Sequence, residues 1–306
     1  MRIIRAHGFG GPDQLVIDEV PLPDPGPGQL RLRVRGIGIN PVDWKLLSGK
    51  APVLPSLPLV PGGDVAGVVD AVGEGVAAFA VGDRVMAHPG LTGGYAEALV
   101  VDASACAIVP TSLDLVDAAS LPLVALTAWQ GLVADGRDIA GLHVLVHNAA
   151  GGVGTAAVQI VKALGGRVTG TASFGNSDYV RSLGADDVVD FRVDAPDGRR
   201  RDIDILLDLV GNSKETGLWS LVRSGGSVIR VAGGADAPNA AEEDGIRAYK
   251  VRVRPNGEQL ARIAALVGEG RMRPEIAQHF TFDQIPDALR ASMSGHIRGK
   301  IVASVK

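Results

Sequence analysis

The chain has 306 residues, of which 46% are hydrophobic and 21% charged, with a formal net charge of −4, enough for two domains of ordinary size with substantial cores. That balance supplies neither a basic field for nucleic acid nor a polybasic patch for a membrane surface, and excludes both as main partners. The single cysteine, Cys106, excludes an internal disulfide framework and any multi-cysteine zinc site.

Glycine is abundant at 41 residues, without a collagen period or a low-complexity run, which suits a turn-rich α/β protein. Met1-Arg2-Ile3-Ile4-Arg5 lacks the apolar core of a signal peptide, and the apolar stretch Leu121 to Val133 is too short to span a bilayer. The expected location is therefore cytoplasmic.

Residues 1 to about 115 read as all-β, with short apolar alternations between Gly and Pro turns. Leu30-Arg31-Leu32-Arg33-Val34-Arg35 is the clearest case: the apolar residues face one way and the arginines the wet side. Further strands are predicted at Val65 to Val72, Arg84 to Ala87 and Tyr95 to Val101, and Cys106 lies in an apolar strand-like run as a buried thiol. From Asp114 the period turns helical, through Val116, Ala119, Leu123, Leu126 and Trp129, and marks a domain join.

Leu142 to Ser173 organises the middle of the chain. His143 to His147 reads as a strand buried on both faces, and its two histidines as ordinary strand residues. Ala149-Ala150-Gly151-Gly152-Val153-Gly154 follows with the form A-x-G-x-x-G. In that form Gly151 admits a pyrophosphate to the backbone and Gly154 lets the next helix pack closely on the strand. Ala156, Ala157, Ile160, Val161 and Leu164 recur at helical spacing, and the start of that helix directs N–H groups at a bound phosphate. Arg167 to Thr171 is the next parallel strand. The segment after it, Thr171 to Ser177, carries no Asp or Glu to hold a ribose 2′-hydroxyl and offers hydroxyls and an amide, Ser173 and Asn176 among them, which favours NADPH; no Lys or Arg lies inside the loop, and the nearest, Arg181 and Arg192, read equally as solvated charges.

Beyond Ser173, strands at Val188 to Asp190, Ile203 to Val210 and Ser227 to Val231 alternate with helices at Asp178 to Leu183 and Lys214 to Val222, the pattern of a doubly wound parallel sheet. Tyr249 to Arg254 is predicted as a further strand at the sheet edge, Glu258 to Gly268 as an amphipathic helix, and Phe280 to Lys306 as mixed helix and strand.

Together, Gly38 to Lys45 (GINPVDWK), Val60 to Gly67 (VPGGDVAG), Val81 to Val85, Gly93 to Glu97, Leu121-Pro122 with Leu126 to Trp129, the glycine turn and Gly299 to Val302 closely resemble the medium-chain dehydrogenase/reductase superfamily, and within it the zinc-free quinone oxidoreductase and enone reductase branch. The resemblance covers nearly the whole chain. It implies a GroES-like, β-rich catalytic domain made of residues 1–115 with 255–306, a Rossmann dinucleotide-binding domain of residues 116–254, and an active site in the cleft. In the zinc alcohol dehydrogenases a Cys ligand stands at the position of Asn40 and a His-Glu pair at Gly63-Asp64; both ligand positions are lost here, so no catalytic zinc is expected.

By the same resemblance, Asn40, Asp43 and Lys45 are the catalytic candidates. Thr127, Ala150, Gly151, Gly152, Val153, Gly154, Ser173, Asn176, Arg181, Val210, Ala232 and Gly233 are the cofactor-binding ones. Asn40-Pro41 also reads as a turn start, and Asp43 as a helix cap. The implied reaction is hydride transfer from NADPH to a quinone or to the β-carbon of an α,β-unsaturated carbonyl, with water as the default proton source. Tyr95, Tyr179 and Tyr249 offer no donor that the sequence can place. Two departures bear on the 2′-phosphate: relatives often carry Lys or Arg near Gly175 and Tyr at Phe191. Ala235 to Gly245 is small and polar for a substrate-side loop. Other readings are a non-catalytic NADPH-binding sensor or structural protein, and an enoyl reductase acting on carrier-bound chains. The branch usually forms homodimers, for which Tyr249 to Arg254 would be the extending edge.

Overall fold

The alternating residues of the N-terminal part form strands in the computed structural model, which describes residues 1–50, 54–133, 136–190, 201–231, 240–243, 245–295 and 297–306. β1 (Arg2–Ala6) and β2 (Leu15–Glu19) pair antiparallel. They are followed by β3 (Gln29–Ile39), α1 (Pro41–Leu47), β4 (Asp64–Val72), β5 (Arg84–Ala87), β6 (Ala98–Asp102) and β7 (Cys106–Ile108). In β3, Leu30, Leu32 and Val34 are fully buried, while Arg31 on the other face pairs with Asp70 at 2.8 Å. Arg31 and Arg33 both pair with Asp70 on the outer face of an ordinary half-buried strand.

The helical stretch is two helices, α2 (Leu115–Ala118) and α3 (Pro122–Val133), because Pro122 starts a new helix and cannot continue the old one. Then come β8 (His143–His147), α4 (Gly152–Ala163), β9 (Arg167–Thr171), α5 (Ser177–Ser182), β10 (Asp187–Val189), β11 (Ile203–Asp208), β12 (Val222–Arg230), β13 (Ala240–Glu243) and β14 (Ile246–Lys250). The chain ends with α6 (Gly257–Gly268), β15 (Ile276–Thr281), α7 (Ile285–Met293) and β16 (Lys300–Ser304). Two compact units result: Met1–Leu126 with Arg254–Lys306, and Thr127–Val253.

In the first unit a seven-stranded sheet runs β15-β16-β3-β4-β5-β7, with β6 also on β3. The C-terminal segment is built into it: β16 lies antiparallel to β3, Ile301 opposite Ile39. That pairing sets Lys300 beside Asn40, although 260 residues of chain separate them. Ile37, Ile39, Leu47, Val65, Tyr95, Ile285, Leu289 and Ile301 belong to one buried cluster, so α1 and α7 are sealed onto the same core as the sheet.

In the second unit the order is β10-β9-β8-β11-β12-β14-β13. All neighbours are parallel except β13, which is antiparallel to β14. Strand order reverses at β8, so the loops after β8 and β11 flank the topological switch point where open α/β sheets bind ligands. The expected edge strand Tyr249 to Arg254 is corrected here. β14 ends at Lys250, and β13, from the segment read as a substrate-side loop, takes the edge among the described residues. Lys214 to Val222 is also not a regular helix, because Gly217 at φ 74° breaks it and leaves a 3₁₀ turn over Leu218–Leu221. The strand read from Tyr95 begins only at Ala98, since the Tyr95 N–H is taken by Pro61 O at 2.9 Å. Among the described residues no helix is long and apolar enough to cross a membrane.

Candidate active site

In the first unit the site grows from the end of β3. The strand stops at Ile39, Asn40 becomes the N-cap of α1, and Pro41 occupies the first helical position, where its missing N–H is harmless. The Asp43 carboxylate, one turn on, reaches back to accept the Asn40 N–H at 2.8 Å. The cap of α1 is thus Asn40 rather than Asp43, which sits inside the helix at its third position and completes a capping box with Asn40.

The same two residues also belong to a buried polar cluster. Asn40 Nδ2 donates to Asp64 Oδ2 at 2.7 Å, and the Lys300 ammonium donates to Asn40 Oδ1 and to Ile39 O at 2.9 Å and lies 3.3 Å from Asp64 Oδ2. The Leu123 N–H is given to the other Asp64 oxygen. The Tyr95 hydroxyl donates to Asp43 Oδ2 at 2.8 Å. Glycine at 38 permits the arrangement, since a Cβ there would stand 2.8 Å from Asp64 Cβ. Asp43, Asp64 and Tyr95 are 0% exposed, Asn40 1% and Lys300 5%.

Two carboxyl groups and one ammonium share this volume. Burial pushes Asp43 up to about 7, against the opposing pull of the Asn40 N–H, the Tyr95 hydroxyl and Lys300, while Asp64 adds to the rise. Burial likewise holds the Tyr95 phenol well above its ordinary range. A proton on Asp43 balances the cluster as one anion with one cation, which is the low-cost state away from water. Asp43 Oδ1 is buried with no hydrogen-bond partner among the described residues.

The structure thus brings Asn40 and Asp43 together and leaves Lys45 exposed on α1, its ammonium 5.5 Å from the Trp44 ring. Sequence reasoning missed Asp64, Lys300 and Tyr95 as members of the cluster. Each stood inside a motif already singled out; Asp64 is brought to Asn40 by the pairing of β4 with β3, Lys300 by the pairing of β16 with β3, and Tyr95 reaches Asp43 from the loop before β6.

The cluster does not fit a metal ion. Asp64 already receives two N–H donors and an ammonium, His88 Nδ1 is engaged by Gly63 O, and Cys106 is a buried thiol pushed up to about 12. Zinc needs deprotonated N, S or O ligands converging on one point; among the described residues no group of three His, Cys, Asp or Glu side chains does so.

In the second unit the glycine turn has the shape its spacing implies. Asn148 adopts φ 68°, Gly151 caps α4, and a Cβ on Gly154 would lie 2.7 Å from Ala149 Cα, so the helix packs directly on the turn. Ala150 and Gly154 are buried, whereas Gly151, Gly152 and Val153 are half-buried. The N–H groups at Gly152, Val153 and Gly154 have no intrahelical acceptor and suit a phosphate. A glycine turn that a Cβ would fill is the cradle a dinucleotide pyrophosphate requires, so these residues fit that cofactor.

Polar side chains tie the surrounding loops together. His147 Nδ1 meets Thr171 Oγ1 at 2.7 Å and its Nε2 meets Asn212 Oδ1 at 2.9 Å, linking β8 to β9 and to the loop after β11. His143 bonds Thr169 Oγ1 at 2.8 Å; both histidines are engaged within the sheet and are not paired ligands. The buried Asp208 carboxylate accepts the N–H groups of Val210, Gly211 and Ser213 and so shapes the loop that presents Val210, which is exposed.

Ser173 and Asn176 lie half-buried in the loop after β9, whereas Phe174 is 89% exposed. Arg181 is exposed on α5 and paired with Asp178 at 3.1 Å. An acid that the linear reading of this loop did not count, Asp190, arrives from the end of β10 and accepts the Phe174 N–H at 3.1 Å. Thr127 is buried on α3. Ala232 and Gly233 lie outside the described residues, as do Phe191, Arg192 and residues 235–239.

Residues 26–111 match the alcohol dehydrogenase GroES-like domain family, and residues 183–302 the zinc-binding dehydrogenase family. A quinone oxidoreductase of Lama guanicoe is 33% identical over 100% of this chain and 98% of its own length. A chloroplastic NADPH-dependent alkenal/one oxidoreductase of Arabidopsis thaliana is 32% identical over 96% of this chain and 77% of its own. Among solved structures, the Escherichia coli quinone oxidoreductase complexed with NADPH superposes with a TM-score of 0.85 at 25% identity, covering 100% of both chains.

Proposed function

The chain belongs to the medium-chain dehydrogenase/reductase superfamily of oxidoreductases, and from that premise we propose that it is a zinc-independent, NADPH-dependent reductase of quinones or α,β-unsaturated carbonyls. The observation that carries the reading is the buried Asn40–Asp64–Lys300 cluster, in which an ammonium and an amide fill the place a metal would need. Support comes also from relatives named for quinone and alkenal/one reduction.

When bound, NADPH supplies the hydride, delivered from C4 of its nicotinamide. The N–H groups at the start of α4 and the turn Ala150 to Gly154 would hold the pyrophosphate, while Ser173, Asn176 and Arg181 would hold the adenosine end. Thr127, Val210, Ala232 and Gly233 are assigned to the remainder of the dinucleotide. In the first unit Asn40 and Asp43 form the buried floor of the substrate side, and Lys45, two residues on and exposed on another face of the same helix, would reach the cofactor or substrate. Asp43 stores a proton near neutral pH, and water carries protons to the product. The cofactor preference is modest, because Asp190 places a carboxylate on the loop that would receive a 2′-phosphate.

The protein is further proposed to act in the cytoplasm as a homodimer, which light scattering tests directly. The zinc-free reading is tested by chelation: activity with a quinone or enone is expected to survive prolonged dialysis against 1,10-phenanthroline, and loss of activity restored by Zn²⁺ would overturn it. NADPH quenching of tryptophan fluorescence should saturate, with NADH binding more weakly by less than about tenfold.

A further inference from the structure

Lys300 is a buried cation at the very start of β16, and nothing in the packing of that strand demands a charge. Its neighbours along the strand, Ile301, Val302 and Ala303, are buried apolar residues. An ammonium there is costly unless each of its donors is used. All three have acceptors: Asn40 Oδ1, Ile39 O and Asp64 Oδ2.

These contacts settle the orientation of the Asn40 amide. Lysine can only donate and an ionised carboxylate can only accept, so Oδ1 must face Lys300 and Nδ2 must face Asp64. A flipped amide would set NH₂ against NH₃⁺ and oxygen against oxygen. The backbone of the same residue then fixes Asp43, whose Oδ2 accepts the Asn40 N–H at 2.8 Å. A continuous chain of contacts therefore runs from Lys300 through Asn40 to Asp43, and a parallel one runs from Lys300 to Asp64.

We propose that Lys300 is a positioning residue of this enzyme: its ammonium locks the Asn40 amide against Asp64, and its charge, held there together with that of Asp64, sets the electrostatic surroundings of the Asp43 carboxyl. The proposal rests on the reading of the first unit as the part that acts on the electrophile. Lys300 and Asp64 act on Asp43 in opposite senses, since the cation favours the carboxylate and the neighbouring anion opposes it.

The other groups around Asp43 are few. Tyr95, from the loop before β6, donates its hydroxyl to Asp43 and stays protonated. On α1 itself Lys45 is exposed. From α7, which packs on α1, Asp287 and Arg290 pair with each other at 2.6 Å. His88, from the end of β5, is turned to Gly63 O. Lys300 and Asp64 are thus the charges placed to set the Asp43 titration.

The test compares Lys300→Met, Lys300→Arg, Asp64→Asn and the double Lys300→Met/Asp64→Asn, each with and without Asp43→Asn. The double variant keeps the cluster charge-balanced and guards against misfolding of Lys300→Met alone. Two readouts are taken for each protein: the pH profile of kcat with a quinone, and the pH at which the stability difference from its own Asp43→Asn partner changes. The second needs no turnover. Lys300→Met is expected to move both midpoints to higher pH and Asp64→Asn to lower pH, by about one unit or tenfold in proton affinity, with Lys300→Arg near wild type. Midpoints that stay fixed, or that move the same way in both single variants, would overturn the proposal. Opposite shifts in the stability midpoint without any quinone turnover would leave the proposal standing and overturn the reductase reading instead.

Discussion

Asp43→Asn isolates the energetic consequence of one buried proton. The wild-type carboxyl sits about three units above its ordinary value of 3.8 because it is wholly desolvated. Its proton is retained by the folded protein between roughly pH 4 and 7 and released by the unfolded one. Stability from this group is therefore fully present below its unfolded value and lost as pH rises through about 7. At 1.36 kcal/mol per unit the total is on the order of 4 kcal/mol, a large part of a typical domain's stability. The asparagine keeps an oxygen for the Asn40 N–H and the Tyr95 hydroxyl but has nothing to titrate. Its extra N–H₂ stands where Oδ1 lacks a partner, which adds an offset of about 1 kcal/mol that does not vary with pH. Urea unfolding of both proteins at half-unit steps from pH 5 to 8.5 measures the difference. The variant should gain on wild type by roughly 1 kcal/mol per pH unit up to about pH 7 and then hold its margin. Parallel stability profiles would refute the reasoning, because they would mean that Asp43 is ionised throughout.

Gly154→Ala puts a Cβ 2.7 Å from Ala149 Cα, a backbone atom that cannot move aside; a loss of about 1–3 kcal/mol of stability and at least tenfold weaker NADPH binding are expected by thermal melts and fluorescence titration. Tyr95→Phe withdraws a donor that favours the Asp43 carboxylate, so the alkaline midpoint of the stability profile should rise by a few tenths of a unit or more. Asp190→Asn removes negative charge from the loop after β9 and should improve the NADPH-to-NADH ratio of kcat/KM by roughly fivefold, about 1 kcal/mol, at low salt. An unchanged ratio would place the 2′-phosphate elsewhere.

Elements with their own local period were legible from the sequence. β5 and β8 fall on the predicted residues, and the glycine turn opens α4 as its spacing requires, because strand alternation and turn chemistry are encoded within a few residues. Local patterning failed where tertiary pairing decides. Tyr249 to Arg254 alternates like an edge strand, yet the sheet takes its edge from β13, whose small residues gave no strand signal. The site was half legible in the same sense. Asn40 and Asp43 stand out within one motif, but their partners Asp64, Tyr95 and Lys300 come from elsewhere in the chain and are brought there by three separate tertiary contacts: β4 on β3, the loop before β6, and the return of β16 to β3. Asp190 was hidden for a related reason: the acid that meets the loop after β9 follows the neighbouring strand β10 and is not part of that loop.

The most direct test of the central claim is the loss of 340 nm absorbance from NADPH, with NADH in parallel, against an ortho-quinone, a para-quinone, a simple enone and an aldehyde. Turnover of a quinone or the enone is expected, with none of the aldehyde and no effect of a chelator. Reduction of the aldehyde alone, abolished by chelation and restored by zinc, would contradict it.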